Sequence, residues 1–331
     1  MSSTLFKANK LLLIEKTRQS YMAASSLPVE YHKLTIPHAG LYFREDDECE
    51  ILSQHIDAGP FSMWFHDIFA KADILLLPYT PFHIWTLHFM IEDSLHIECD
   101  KNAIFQLEER ECNLFNLYPG LHRIPMRDNT KILSVHINMR PEFLPWLAKK
   151  YPPLRELFTR SVPAQTCALN KQPHHMNAVC NFLIQQILSC RYTGKKAHTF
   201  IYRCILDLLC NYAIQEMYAH EPFLFSSLQH QDGYRQLFSF LQEHAHRRHS
   251  VVELAAMFNL PATELEKGFL QHFSISLQDF SHMSRMMMAY HLLHDMNWPP
   301  SVAAEAARFS NTAEMVTQVE AHYECKIKHR N

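Results

Sequence analysis

The sequence is poor in glycine, with six among 331 residues, at positions 40, 59, 120, 194, 233 and 268. An average chain carries roughly 7%. No two of the six are spaced to build a Gly-x-Gly-x-x-Gly turn or a Gly-x4-Gly-Lys loop, so the two common ways of bringing backbone amides onto phosphates are excluded. Gly-x-Ser-x-Gly, which sets a nucleophilic serine on a strained turn, is absent for the same reason. Long apolar runs are missing too. Nothing approaches the ~20 residues of a membrane helix; the stretch from Ile74 to Leu77 stops at Pro78, and the run from Leu11 to Ile14 is shorter than a signal-peptide core. The nine cysteines are odd in number and form no Cys-x-x-Cys pair, which reads as reduced, mostly buried thiols of a cytoplasmic protein.

What is present is enough for packed cores: 47% hydrophobic and 12% aromatic residues, over a length that suggests two domains. The formal charge is −3 with histidines neutral, and the 23 histidines would make it strongly positive if they titrated together. From about Tyr31 to Asn138, short aromatic and β-branched runs alternate with turn formers. Residues 61–65, 82–91, 103–107, 113–118 and 132–137 are expected strands at hairpin spacing, in a sandwich or barrel able to enclose a small ligand. Beyond Pro141 the apolar period lengthens to three and four residues, predicting helices near 175–190 and 197–218. A linker is expected from Glu221 to Gly233, with further helices after Tyr234. The fold class is therefore α+β and multidomain. Its expected parts are an N-terminal extension (1–30), a β-rich domain (31–140), a helical connector (141–230) and an all-α C-terminal domain (231–331).

The C-terminal domain contains a weak internal repeat. Val251 to Phe258 is a short amphipathic helix opened by a Ser250/Glu253 capping box, Asn259-Leu260-Pro261 makes a turn, and Leu265, Phe269 and Phe273 stripe a second helix. About 49 residues later the pattern returns, with Ala303-Ala304, a turn at Arg308-Phe309-Ser310, and a stripe of Met315, Val319 and Tyr323 behind an Asn311/Glu314 capping pair. Helix, tight turn, helix is the geometry that places a second helix in the DNA major groove.

Between the copies, Ser276 to Leu293 includes Arg285-x3-Ala289-x2-Leu292-Leu293, which resembles the connecting helix of the AraC/XylS family of bacterial transcription regulators. Lys267 to Phe273 and Phe309-Ser310-Asn311 are similar to that family's pattern as well, as is Ile187 to Gly194 with Phe200 to Gln215 to a helical segment that precedes its DNA-binding domain. The resemblance covers about 100 residues well and the first 140 only in architecture. It implies two helix-turn-helix units joined by a long helix, behind a cupin-like N-terminal domain that receives an effector or dimerises. Bases would be read by Thr263, Glu266 and Lys267 in the first unit and by Ala313, Glu314 and Thr317 in the second. Arg247, Arg248, Gln271, His272, Gln318, Lys326 and Lys328 are candidate phosphate contacts. The implied partners are double-stranded DNA, a small-molecule or protein effector, and a second copy of the chain meeting through the helical connector. No membrane, cofactor, metal or catalytic residue is expected, and the chain is not read as an enzyme.

Two features depart from the family. Residues 232–331 hold nine Lys and Arg against eleven Asp and Glu, a balance of −2, and the second recognition helix, from Thr312 to Tyr323, has neither Lys nor Arg. Since DNA affinity rests on cations neutralising phosphates, intrinsic affinity should be low. Where family members commonly carry glycine, at each turn and after each second helix, this chain has Asn259, Ser274, Arg308 and Glu324. A left-handed backbone at Arg308 or Glu324 would cost ~1 kcal/mol. The alternatives are a regulator-derived interaction module with weak or lost DNA binding, or a metal-dependent cupin enzyme. Against the latter, His83 and His88 should fall on opposite strand faces, and His96 and Glu98 stand alone unless a neighbouring strand supplies His66 or His136. The acidic run Glu45 to Glu48 reads as a solvated turn, and Met286 to Met288 as core. Tyr79, Phe82, Trp85 and Trp64 read as aromatic core, or else as the lining of a ligand cavity.

Overall fold

A computed structural model describes residues 8–15, 27–98, 104–219, 221–222 and 229–327. It divides into two compact units: one comprises Met1–Met176 and Ile184–Arg191, the other Asn177–Leu183 and Tyr192–Asn331.

The first unit is β-rich. Its larger sheet has strand order β13 (Cys167–Ala168), β9 (Glu111–Leu117), β6 (Ile84–Glu92), β12 (Lys131–Met139), β4 (Phe61–Ala70), β3 (Cys49–Ala58) and β2 (Gly40–Glu45), with β14 (His174–His175) also on β9. A smaller sheet sets β1 (Ala8–Leu13) parallel to β5 (Ile74–Thr80), with β10 (Gly120–Leu121) and β11 (Ile124–Met126) antiparallel to β5. A hairpin of β7 (Leu95–Glu98) and β8 (Ile104–Leu107) completes it. One core unites all three, with Leu12, Leu76 and Ile124 packed with Ile51, Ile68, Met90, Ile132, Leu95 and Leu107. The tight β3–β4 turn needs Gly59, whose φ is +70°, a value that costs glycine little.

The five strands expected from sequence are present, but the boundaries differ. The segment expected as an extension contributes β1, and the helices α1 (Leu144–Lys150) and α2 (Leu154–Thr159) with β13 and β14 carry this unit past residue 140. β1 escapes a local reading because its partner, β5, lies far along the chain and Lys10 interrupts its apolar pattern. The turn after β2 is also more than solvated. Lys10 is 3% exposed, and its ammonium meets Asp46 at 2.7 Å and Glu48 at 2.8 Å. Asp46 also accepts the Glu48 and Cys49 amides.

The second unit is helical. It takes in part of α3 (Ala178–Leu188), then α4 (Gly194–Tyr218), α5 (Gln231–Glu243), α6 (Val251–Met257), α7 (Leu265–Phe273), α8 (Leu277–His294), α9 (Pro300–Ala306) and α10 (Thr312–Tyr323). Phe238 of α5, Phe269 and Phe273 of α7, and Phe280 of α8 form one aromatic core, with ring centroids 4.5–5.8 Å apart. Phe200, Tyr290 and Tyr323 join α4, α8 and α10 in another. Of the expected core residues Met286 to Met288, Met286 and Met287 are buried and Met288 is half-buried.

The expected linker through Gly233 ends earlier, because α5 begins at Gln231. Gly233 lies inside the helix for a packing reason: a Cβ there would stand 2.9 Å from Leu260 Cδ2 and 3.0 Å from the Phe258 carbonyl. Gly268 on α7 is tighter still, with a Cβ falling 1.9 Å from the hydroxyl of Tyr234. Tyr234 is 1% exposed and cannot swing aside. Gly268→Ala is expected to lower unfolding stability by about 1–3 kcal/mol despite alanine's better helix propensity; urea denaturation of the two proteins measures the difference, and equal midpoints would refute the contact.

Candidate nucleic-acid interface

Both helix-turn-helix units form as the repeat predicts. The Ser250 side chain accepts the Glu253 amide while Glu253 accepts the Ser250 amide, closing the capping box before α6. Asn311 caps α10 by accepting the Glu314 amide. Leu265, Phe269 and Phe273 on α7 and Met315, Val319 and Tyr323 on α10 are all buried. The turn residues Asn259 and Arg308 both have φ +52°, and the residues closing α7 and α10, Ser274 and Glu324, have +52° and +49°. The left-handed geometry is therefore kept at all four places without glycine.

The connecting helix α8 turns Arg285, Ala289, Leu292 and Leu293 inward. Arg285 places its guanidinium 3.8 Å from the ring centre of Phe309, the middle residue of the second turn. Burial and the nearby Arg248 hold its pKa below the usual arginine value. Its task is to seat the second unit on the connecting helix by a cation–π contact.

The candidate reading residues divide into free and occupied. Glu266 and Lys267 are exposed on α7; Thr263 is exposed in the turn before it rather than on the helix itself. Ala313 and Thr317 are exposed on α10. Glu314 is committed to its neighbours. Its carboxylate accepts the Ser310 amide at 2.8 Å, the Gln318 side-chain amide at 2.9 Å and Arg248 at 3.5 Å. Those hydrogen bonds, the Ser310 side chain and amide foremost, hold its pKa below the usual glutamate value. Gln318 is thereby tied to Glu314, and Gln271 donates to the Pro222 carbonyl at 3.0 Å. His272 lies half-buried against Tyr234. Lys326 is exposed, and Lys328 lies outside the described residues.

Arg247 and Arg248 are exposed, and sequence reasoning missed a third member of their group. Arg248 reaches Glu314 at 3.5 Å, and Glu314 holds the amide of Ser310, two residues past Arg308. Burial and then Arg247 and Arg308 lower the pKa of His246 between α5 and α6, so the second turn lies beside the pair before the first unit. Arg308 is exposed and makes no ion pair among the described residues. Nothing in the spacing of 248 and 308 announces this; only the folded repeat brings them together.

The β-rich unit holds a separate feature, a cavity of about 60 Å³ whose wall is almost wholly carbon, from Leu12, Ile68, Leu76, Phe115 and Ile124 among others. Three histidines from adjacent strands, His66, His88 and His136, also line it. Trp64, Trp85, Tyr79 and Phe82 do not, so the cavity reading of those aromatics gives way to packing. His83 lies just before β6, stacked on Tyr118 with centroids 4.2 Å apart, and His96 is exposed on β7.

The histidines are wired in one direction. Asn138 Oδ1 accepts from Thr86 and can only accept from His136 Nδ1, which therefore carries its proton. His136 Nε2 is then the acceptor for His66 Nε2–H at 3.0 Å, and His66 Nδ1 accepts the Ser53 hydroxyl at 2.8 Å. His88 stacks on His136 with centroids 5.7 Å apart, and its Nε2 has no partner among the described residues. Burial pushes the pKa of His88 down to about 3 and that of His136 to about 4, and lowers His66 well below the ordinary value. All three are neutral at physiological pH. Among the described residues, no group of three histidine, cysteine or carboxylate side chains is disposed to hold a metal ion.

No protein-family model matches the sequence, and neither does any curated protein. Solved structures do resemble it. The chain is similar to transcription regulators of the AraC kind. Apo ToxT from Vibrio cholerae shares 8% identity, with 81% of this chain and 95% of that one covered and a TM-score of 0.33. A probable AraC family transcriptional regulator from Rhodopseudomonas palustris shares 22% over 29% of this chain and 90% of its own, with a TM-score of 0.26. The DNA-binding domain of AdpA, solved with a target DNA, shares 15% over 28% and 84%, with a TM-score of 0.27. Among the described residues no helix is long and apolar enough to cross a membrane.

Proposed function

We propose that the protein is a sequence-specific DNA-binding transcription regulator of AraC/XylS type, whose occupancy of DNA is tuned through its β-rich unit. The observation that carries this reading is the duplicated helix-turn-helix. Both copies keep a left-handed residue at the turn and another at the end of the second helix, although neither position has glycine to make that easy. Lys267 with Thr263 and Glu266, and Ala313 with Thr317, would face bases; Arg247, Arg248 and Arg308 would meet phosphates. An effector entering the apolar cavity beside His88 would be mostly hydrocarbon, and the cavity of about 60 Å³ would have to widen to take it. A homodimer formed through residues 175–218 would give two sets of reading helices, and light scattering on the full chain tests that state.

Fluorescence anisotropy with promoter fragments at about 50 and 200 mM salt tests the DNA reading, since a protein held by several phosphates loses affinity steeply over that range. Lys267→Ala should weaken binding, and reversing Arg247 and Arg248 to Glu should abolish it. If no fragment from the source genome binds at the lower salt, the acidic balance of the domain wins and the chain is an interaction module instead.

Glu314 gives a sharper expectation. Glu314→Gln keeps an acceptor for the Ser310 amide but frees Arg248 and removes a negative charge from the second reading helix. DNA affinity should rise about 3–10-fold at about 100 mM salt, with the log–log salt slope steeper by about 1. Unchanged affinity and slope would place Glu314 and Arg248 away from the nucleic acid.

A further inference from the structure

A second concavity, of about 700 Å³, lies in the helical unit where α8 ends and α4 begins, and its walls carry Lys195, Lys196, Lys326, Tyr290, His294 and Trp298. No carboxylate is among its described lining residues. Lys195 and Lys326 make no ion pair among the described residues, and Lys196 has only the His294 carbonyl, 3.4 Å away. Three lysines on the wall of one hollow, with no carboxylate beside them there, give it a positive potential that favours an anion. Further positive character comes from the first turn of the 25-residue helix α4, which Thr193 does not cap with its side chain. His294 adds no charge, because burial and Lys196 hold its pKa down to about 4.

The rest of the wall is apolar and aromatic. Trp298 is 36% exposed, which for a tryptophan next to Pro299 and Pro300 leaves ring surface unburied. The volume falls within the range typical of small-molecule sites. Lysines arranged as point charges suit phosphate oxygens, and an exposed indole suits a flat heteroaromatic ring. We infer that this cleft binds a nucleotide, its phosphates among Lys195, Lys196 and Lys326 and its base against Trp298. None of the base-reading residues Thr263, Glu266, Lys267, Ala313, Glu314 and Thr317 lines it; Lys326, a candidate contact to the DNA backbone, does, so the test below compares nucleotide with duplex DNA.

Isothermal titration of the full chain with ATP, GTP, CTP and UTP, and separately with adenosine and inorganic phosphate, tests the assignment. At least one triphosphate should bind about tenfold or more tightly than either fragment, because both halves of the site contribute. The double variant Lys195→Ala/Lys326→Ala should weaken that binding about tenfold or more, and Trp298→Ala should weaken it while Trp298→Phe retains it. Circular dichroism melting of each variant separates loss of the site from loss of the fold. Triphosphate binding no tighter than inorganic phosphate, binding unaffected by the variants, or no heat from a normally folded chain would each overturn the inference. So would equal loss of nucleotide and duplex DNA binding in the double-lysine variant, which would make these lysines contacts to the DNA backbone.

Discussion

Between pH 7.5 and pH 5.5 the β-rich unit is expected to lose about 4 kcal/mol of stability, from His66, His88 and His136 alone. Each is neutral when folded across that range, because its folded pKa lies far below that of a free imidazole near ~6.5. The unfolded chain binds a proton at each as the pH falls through ~6.5, so protons favour unfolding and stability falls toward acid. Each group whose folded pKa stays below the range contributes about 1.4 kcal/mol, the tenfold change in its unfolded binding polynomial. Urea denaturation of the full chain at both pH values, followed by tryptophan fluorescence, measures it. His88→Leu should remove about a third of the effect at little cost at pH 7.5, since its Nε2 satisfies no partner that would be stranded. A chain equally stable at the two pH values would mean that these imidazoles are protonated in the fold or are not buried.

Replacing Lys10 with alanine is expected to cost about 2–3 kcal/mol, less than the full penalty for breaking a buried pair, because Asp46 and Glu48 keep some contact with water. Burial pulls the Lys10 pKa down, but hydrogen bonds to the two carboxylates outweigh it and leave it raised. Asp46 is the counterpart. Burial pushes its pKa up, yet Lys10 and two backbone amides bring it well below the carboxylate range. With a depressed folded pKa, its contribution is present above the ordinary pKa of ~4 and disappears as the pH falls below it. Lys10→Met keeps most of the buried stem and should recover part of the loss. If Lys10→Ala and wild type unfold at the same urea concentration, β1 is not held by this ion pair.

The helical half was the more legible from sequence, because its information is local. A capping box, a four-residue apolar stripe and a turn are each contained in about a dozen residues, and Ser250, Leu265 and Asn259 do what their neighbours imply. The left-handed conformations at Arg308 and Glu324 could be located only because the repeat supplied a frame. Where partners are distant, legibility fails. His66, His88 and His136 come from three strands whose adjacency depends on sheet order, and no periodicity reports that order. Sequence offers His66 and His136 only as neighbours of His96, and His96 is exposed on a separate hairpin. The place of Arg308 beside Arg247 and Arg248 is hidden for the same reason, and Gly233, which resembles a linker residue in sequence, is a helical position where the turn it touches leaves no room for a Cβ.

Sheet order also bears on how this protein is made. β12 is the last long strand of the β-rich unit to leave the ribosome, yet it lies between β4 and β6, pairing Val135 with Phe65 on one side and Phe89 on the other. Until residue 139 has emerged, two long, largely apolar strands present open edges with no occupant. Such edges are where nascent chains associate wrongly. The central place of β12 therefore makes the interval before residue 139 has emerged the one in which this chain is most open to wrong association.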